Sequence, residues 1–362
     1  PKCMPLPPFN NLNWYHDRGR IEKWEDPVQA VVGQFYTLSD LRTELPEVRA
    51  ALLDVYRKFI RATDCDGFRV DTVRHVERSF WEPWCTGIRE SATALGKANF
   101  LMFGEAADGR DEGIAVYTGP QGRNERAFDS LLDFPFYYAV KDVLALAQAP
   151  TRRLAERWKK LTAPPYSREA VSQLVTFIDN HDQPRFLAQE NADGHEARLR
   201  QALVLLYTSP GIPCLYYGTE QGFRGGHDPH NREDMVVGQG GGGAVNHFDR
   251  DHALYRFVAQ LNRMRQEHPA LRQGSQFVLA DNERGPGLFA FVRRHEDDAV
   301  LVILNTADAV LALSELRVPG LGRATFRSVL GESAPRQIEL GGRFSELDLP
   351  PKAAWVFEAD RE

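Results

Sequence analysis

Gly67-Phe68-Arg69-Val70-Asp71 alternates apolar and charged side chains with period two, which predicts a short strand. Phe68 and Val70 face one way, and Arg69 and Asp71 stand side by side on the other. Before it, Val48, Leu52, Val55, Phe59 and Ile60 recur at helical spacing, so Pro46 to Ala62 reads as a helix with Pro46 in its first turn. After it, Ser79 to Leu95 reads as a second helix, stopped at Gly96. Further strands are expected at Phe100 to Gly104, Ser130 to Phe134, Leu174 to Ile178 and Ile212 to Tyr217. The intervening and following helical segments are Tyr137 to Leu161, Ala197 to Thr208 and His252 to His268. Short strands alternating with helices of ten or more residues specify parallel βα units. The count is five strands.

Beyond Pro269 the period changes. Phe277 to Leu279, Leu288 to Val292, Ala299 to Leu304, Ala324 to Leu330 and Ala353 to Phe357 are short β-type runs between Gly, Pro, Asn or Asp turns, which predicts a separate antiparallel β domain. Gly240 to Gly243 reads as part of a surface loop rather than a linker, because a long helix still follows it.

Composition narrows the function. Lys plus Arg number 44 and Asp plus Glu 50, a formal charge of −6 without long runs of one sign, so nucleic acid and anionic membrane are disfavoured as partners. The longest apolar runs, Ala202 to Tyr207 and Cys214 to Tyr217, are far short of the ~20 residues that span a bilayer. Four cysteines, Cys3, Cys65, Cys85 and Cys214, show no CxxC spacing, and Cys65 and Cys214 are expected as buried thiols beside apolar runs. The start, Pro1 to Pro8, has neither a signal-peptide plan nor an initiator Met, so the chain is expected to begin inside something longer.

The chemistry lies where strands end. Asp71 ends the first strand beside Arg69, which should keep it ionised. Glu105 ends an apolar run as a lone carboxyl, a setting suited to an acid. Phe177-Ile178-Asp179-Asn180-His181-Asp182 ends in a polar cluster. Carboxyls at the carboxyl ends of parallel strands sit where a (β/α) barrel keeps its active site. A pair about 5–5.5 Å apart suits retaining glycoside hydrolysis. The residues alone leave other readings open, a structural ion pair for Arg69 with Asp71 and a capping pair for His181 with Asp182.

Gly67-Phe68-Arg69-Val70-Asp71-Thr72-Val73-Arg74-His75, Phe103-Gly104-Glu105 and Phe177-Ile178-Asp179-Asn180-His181-Asp182 resemble, in order, three signature segments of the α-amylase family, glycoside hydrolase family 13. Leu38-Ser39-Asp40-Leu41 resembles a fourth, and Gly211-Ile212-Pro213 with Tyr216-Tyr217-Gly218-Thr219-Glu220 is similar to the family's eighth strand. The resemblance implies Asp71 as nucleophile, Glu105 as general acid/base and Asp182 as transition-state stabiliser. It implies that Arg69 orients Asp71, that His181 binds sugar at the cleavage point, and that Arg74 and His75 serve leaving-side subsites. Asp228 and Arg232 have the spacing of a pair that grips a donor-side glucose. Trp81, Tyr36 or Phe223 could stack on sugar faces.

The implied fold is an α/β (β/α)₈ TIM barrel of which this chain supplies about strands 4–8, plus a C-terminal antiparallel β-sandwich. The expected divisions are 1–45, a remnant of the excursion after barrel strand 3; 46–272, the C-terminal part of the barrel; and 273–362, the β domain. No cofactor is required for the chemistry. In the family a structural calcium is held by an Asn, an Asp and the carbonyl at His75. The Asn would precede Pro1 and Gln34 stands in the place expected of the Asp, so calcium is possible but disfavoured and no metal ligand is assigned. The implied activity is cleavage of α-1,4-glucan or maltooligosaccharides by an α-amylase, with a transglycosidase or cyclomaltodextrinase as the nearest alternative and a catalytically silent carbohydrate-binding relative as another. Arg74-His75 favours the amylase. Starch cannot cross a membrane, which favours a secreted or periplasmic site over the cytoplasm.

Removing roughly 90 residues of β domain from 362 leaves about 270, near the ~250 of a whole barrel. Five strands against eight nevertheless lead to the expectation of a fragment, or of a barrel completed by another segment.

Overall fold

The computed structural model describes residues 5–118, 127–163, 165–189, 195–238, 245–317, 324–341 and 343–360. Cys3 and the Gly240 to Gly243 run lie outside them. In chain order the elements are α1 (Pro27–Val32), α2 (Pro46–Thr63), β1 (Gly67–Val70), α3 (Arg78–Ala94), β2 (Leu101–Gly104), α4 (Asp111–Ala115), β3 (Ser130–Leu131), α5 (Phe134–Val140), α6 (Arg152–Leu161), α7 (Arg168–Gln173), β4 (Val175–Thr176), α8 (His195–Thr208), β5 (Ile212–Pro213), β6 (Val236–Val237), β7 (Val245–Asn246), α9 (Ala253–Glu267) and α10 (Pro269–Gln273). Eight strands follow: β8 (Ser275–Ala280), β9 (Leu288–His295), β10 (Asp298–Asn305), β11 (Leu311–Glu315), β12 (Ala324–Leu330), β13 (Gln337–Leu340), β14 (Arg343–Leu349) and β15 (Ala354–Ala359). No helix among the described residues is long and apolar enough to cross a membrane.

The chain forms two compact units, Pro1–Leu132 with Pro164–Gln173, and Asp133–Ala163 with Leu174–Glu362. In the first, β1, β2 and β3 form a parallel sheet with Val70 opposite Gly104 and Gly104 opposite Leu131. Helix α2 ends at Asp64 in the left-handed region, φ 56°. Gly104 has to be glycine: a Cβ there would meet Val73 Cγ2 at 2.7 Å and Leu131 Cδ1 at 2.9 Å. Phe80, Trp81 and Trp84 on α3 are buried, and Trp81 Nε1 donates to the Val73 carbonyl at 3.1 Å, tying the turn after Asp71 to the helix.

In the second unit β4 and β5 are parallel, with Val175 opposite Ile212. The apolar run Ala202 to Tyr207 buries α8 from Gln201 to Thr208, packed with α5, α6, α9 and one face of the sheet holding β9, β10 and β15. That sheet has six strands in the order β13-β12-β15-β10-β9-β8, all antiparallel. Its other face shares a core with the β11–β14 pair through Leu301, Ile303, Phe326, Trp355, Leu313 and Leu349.

Several expectations need correction. The strand expected over Ser130 to Phe134 ends at Leu131, because the Asp133 carboxylate accepts from Phe136 N–H and Pro135 occupies a first-turn position, so Phe134 opens a helix. Tyr137 to Leu161 is broken, α5 passing through a π-turn at Lys141–Ala145 before α6 begins at Arg152. The strands expected over Leu174 to Ile178 and Ile212 to Tyr217 pair for two residues each. Cys65 is half-buried and Cys214, just past β5, is exposed, so burial of both thiols does not hold; Cys85 is buried.

Candidate active site

In the first unit the parallel register that sets Val70 opposite Gly104 leaves the next residues, Asp71 and Glu105, at neighbouring strand ends. The backbone locks that placement: Glu105 N–H donates to the Val70 carbonyl at 2.7 Å, and Val73 N–H to the Glu105 carbonyl at 2.9 Å. Arg69 reaches both acids, with Nη1 3.2 Å from Asp71 Oδ1 and Nη2 on Glu105 Oε2. The pairing of Arg69 with Asp71 expected from period two is therefore present. Glu105 is not the lone carboxyl its apolar run suggested, because β1 and β2 are adjacent and Arg69 spans them. Glu105 is 7% exposed, whereas the Asp71 side chain is 60% exposed. One acid is enclosed and the other open to a ligand.

Arg74 and His75 follow on a 3₁₀ turn. Arg74 Nη1 donates to the Ala107 carbonyl at 2.8 Å, and His75 Nδ1 lies 2.8 Å from the Ala30 carbonyl on α1. Trp24 and Phe35 meet the His75 ring edge-on. Burial lowers the pKa of His75 from the ordinary 6.5, favouring the neutral ring.

In the second unit His181 and Asp182 lie on the loop after β4. His181 Nε2 is 3.1 Å from Asp182 Oδ2, and Asp182 N–H donates to Asn180 Oδ1 at 2.9 Å. Asp228 and Arg232 pair with one another at 2.7 Å, and Arg232 Nη2 also lies 3.3 Å from Asp182 Oδ1. The structure thus gathers Arg69, Asp71 and Glu105 in one unit, and His181, Asp182, Asp228 and Arg232 in the other.

Of the aromatic residues expected to stack on sugar, Trp81 and Phe223 are core side chains, 5% and 8% exposed, and only Tyr36 presents its ring, at 66%. Trp81 is held inward by its bond to Val73, and Phe223 by close approach to Gly218 and the guanidinium of Arg185.

Sequence reading missed the supports beneath His181 and Asp182. Asn231 is wholly buried against their loop, and Arg185, also wholly buried, lies 4.0 Å over the Tyr216 ring and 3.2 Å from Glu233. Asp179 is 2% exposed and accepts from Thr219 Oγ1 at 3.0 Å and from Phe186 N–H at 3.2 Å. The available signal for Asp179 is a polar residue directly after an apolar strand run, at the start of the polar cluster Asp179 to Asp182.

Burial lifts the Asp179 carboxyl from 3.8 to about 6, against the lowering effect of the Phe186, Arg185 and Thr219 groups. The folded state then holds this proton more tightly than the unfolded chain, so the group costs stability as pH rises from about 4 through 6. At ~1.36 kcal/mol per pKa unit the cost is on the order of 3 kcal/mol above pH 6. Asp179→Asn can still accept from Phe186 and donate to Thr219, and is expected to gain stability relative to the parent across that window. Parallel denaturation curves at pH 4, 5, 6 and 7.5 for the two proteins would contradict this.

A family model described as the α-amylase catalytic domain matches residues 5–240. The chain is similar to an α-amylase of Streptomyces lividans, 32% identical over 99% of this chain and 40% of the relative, and to a cyclomaltodextrinase of a Bacillus species, 32% identical over 74% and 44%. It therefore spans less than half the length of these curated relatives. Among solved structures it is similar to an Anoxybacillus α-amylase, with TM-score 0.82 and 28% identity over 97% of this chain and 71% of that one.

Proposed function

Because the chain belongs to the α-amylase family, glycoside hydrolase family 13, we propose that it serves a retaining glycoside hydrolase acting on α-1,4-glucosidic bonds of starch-like glucans or maltooligosaccharides. The observation that carries this reading is the single guanidinium of Arg69 on two carboxylates at adjacent strand ends, one enclosed and one open. Asp71, the open one, attacks the anomeric carbon. Glu105 protonates the departing glycosidic oxygen, then takes a proton from the water that cleaves the glycosyl ester. Arg69 holds the ionised Asp71 in place for attack and fixes the rotamers of both Asp71 and Glu105 through its planar fork.

Asp182 supplies negative charge to the oxocarbenium-like transition state without waiting for solvent to reorganise. His181, steadied by its contact with Asp182, binds sugar hydroxyls. Arg74 and His75 bind on the leaving-group side, and the Asp228–Arg232 pair on the donor side. Enzymes of this family need no cofactor for catalysis. Among the described residues no group of three or more His, Cys, Asp or Glu side chains is placed to hold a metal ion, and no step runs through calcium.

The fold is TIM-barrel-like with a C-terminal antiparallel sheet. Within it, β1 to β5 are assigned here to barrel strands 4–8, with residues 1–45 as excursion, 46–272 as barrel and 273–362 as the β domain. Among the described residues β1 pairs only with β2, and α2 exposes Val55, Tyr56 and Phe59, which is the surface that further βα units would cover. An enzyme acting on polymeric starch would work outside the cytoplasm.

Reducing-sugar release from soluble starch and from β-cyclodextrin tests the substrate. Starch is expected to be the better substrate, and Glu105→Gln to abolish release from both. Preference for the cyclic glucan would move the assignment to a cyclomaltodextrinase, and no release from either by a protein that carries the further βα units as well would overturn the hydrolase reading.

A further inference from the structure

The loop from Asn180 to Arg185 leaves β4 and closes on Phe186, turning so that three of its carbonyls point at one spot. Asn231 Nδ2 occupies that spot, 3.4 Å from the Asn180 carbonyl, 2.8 Å from that of His181 and 2.9 Å from that of Gln183. Asn231 is 0% exposed. Two N–H protons of a buried amide thus serve three converging dipoles on a half-buried loop. Losing them would take its donor from the Gln183 carbonyl, leave the Asn180 and His181 carbonyls only the long bonds from Gln183 N–H at 3.4 Å and Arg232 Nε at 3.2 Å, and let the three dipoles repel one another. Nearby contacts act on the same loop: Arg232 Nε donates to the His181 carbonyl at 3.2 Å, and Arg185 N–H donates to the Gly225 carbonyl at 3.1 Å. Asn231 is the member of this set that touches the loop at three points.

We propose that Asn231 is a positioning residue, whose buried amide sets the direction in which His181 and Asp182 project. Its effect on turnover rests on the reading of Asp182 as transition-state stabiliser; its effect on the loop does not. Asn231→Asp keeps the size of the side chain but turns a carboxylate toward three carbonyl oxygens. Asn231→Ala removes the donor and leaves room for water. An electrostatic hub predicts that Asp is worse than Ala, whereas a side chain that merely fills space predicts that Ala is worse than Asp.

Two measurements on the full chain test this. Hydrogen exchange is expected to quicken at least tenfold at the amides of Asp182 and Phe186 in Asn231→Asp, and less in Asn231→Ala, with exchange in α8 unchanged. Turnover of maltoheptaose is expected to fall roughly 10–100-fold in kcat for Asn231→Asp, with KM within about threefold. Unchanged exchange in both variants, or the reverse order, would overturn the proposal. If Asn231→Asp fails to fold, the alanine variant decides alone: loop exchange equal to the parent overturns the proposal and faster loop exchange supports it. If Asp182→Asn leaves kcat intact, the stabiliser reading fails while the exchange result still judges Asn231.

Discussion

Glu105→Ala is expected to slow starch hydrolysis roughly 10²–10⁴-fold, the usual range for a general acid/base. The loss should depend on the leaving group. A sugar hydroxyl leaves poorly as an alkoxide, so cleavage of starch needs the proton that Glu105 supplies. Fluoride needs none, so with α-maltotriosyl fluoride the first step stays fast and the second, now without a base, becomes limiting. Azide needs no base either. It should restore turnover on the fluoride and yield the α-glycosyl azide, with net retention, because it attacks an intermediate already inverted once. A β-azide, or no rescue, would remove Glu105 from this role. Glu105 suits it by position, being enclosed at the end of β2 in register with Asp71.

Asp71→Asn is expected to be the most damaging exchange of an exposed residue in the chain. Attack itself is lost, so hydrolysis of starch and of the fluoride should both fall on the order of 10⁴-fold, about 5.5 kcal/mol of barrier. Folding should barely change. The Asp71 side chain is 60% exposed and its pair with Arg69 is partly solvated, so the stability change should stay within ~1 kcal/mol. Parent-like unfolding with absent turnover is the signature of a group used for chemistry. Equal losses of stability and activity would instead make the Arg69–Asp71 pair structural.

Local physics made part of this legible. Period-two alternation located β1 and the neighbouring positions of Arg69 and Asp71, and helical spacing located α2 from its first proline to within a residue of its end. Ser130 to Phe134 misled because an apolar run does not reveal that Asp133 caps a helix. The pairs β6–β7 and β11–β14 and strand β13 were missed, since runs such as Gln337–Leu340 are short and half polar and take their structure from a partner strand. At the site, carboxyls at strand ends were visible because each ends an apolar run. What surrounds them was not. Glu105 looked alone because Arg69 is 36 residues away and meets it only through the β1–β2 register. Asn231 is one amide in a polar loop, and its importance lies in three carbonyls about 50 residues earlier that no periodicity reports.

In the proposed mechanism Asp71 forms a covalent bond to the sugar. Glu105→Gln incubated with α-maltotriosyl fluoride, quenched in acid and digested with pepsin, should show by mass spectrometry a peptide carrying one maltotriosyl group on Asp71. The same treatment of the Asp71→Asn, Glu105→Gln double variant should show none. A protein that turns over the fluoride without an adduct, or carries the sugar on another residue, would rule out Asp71 as the nucleophile.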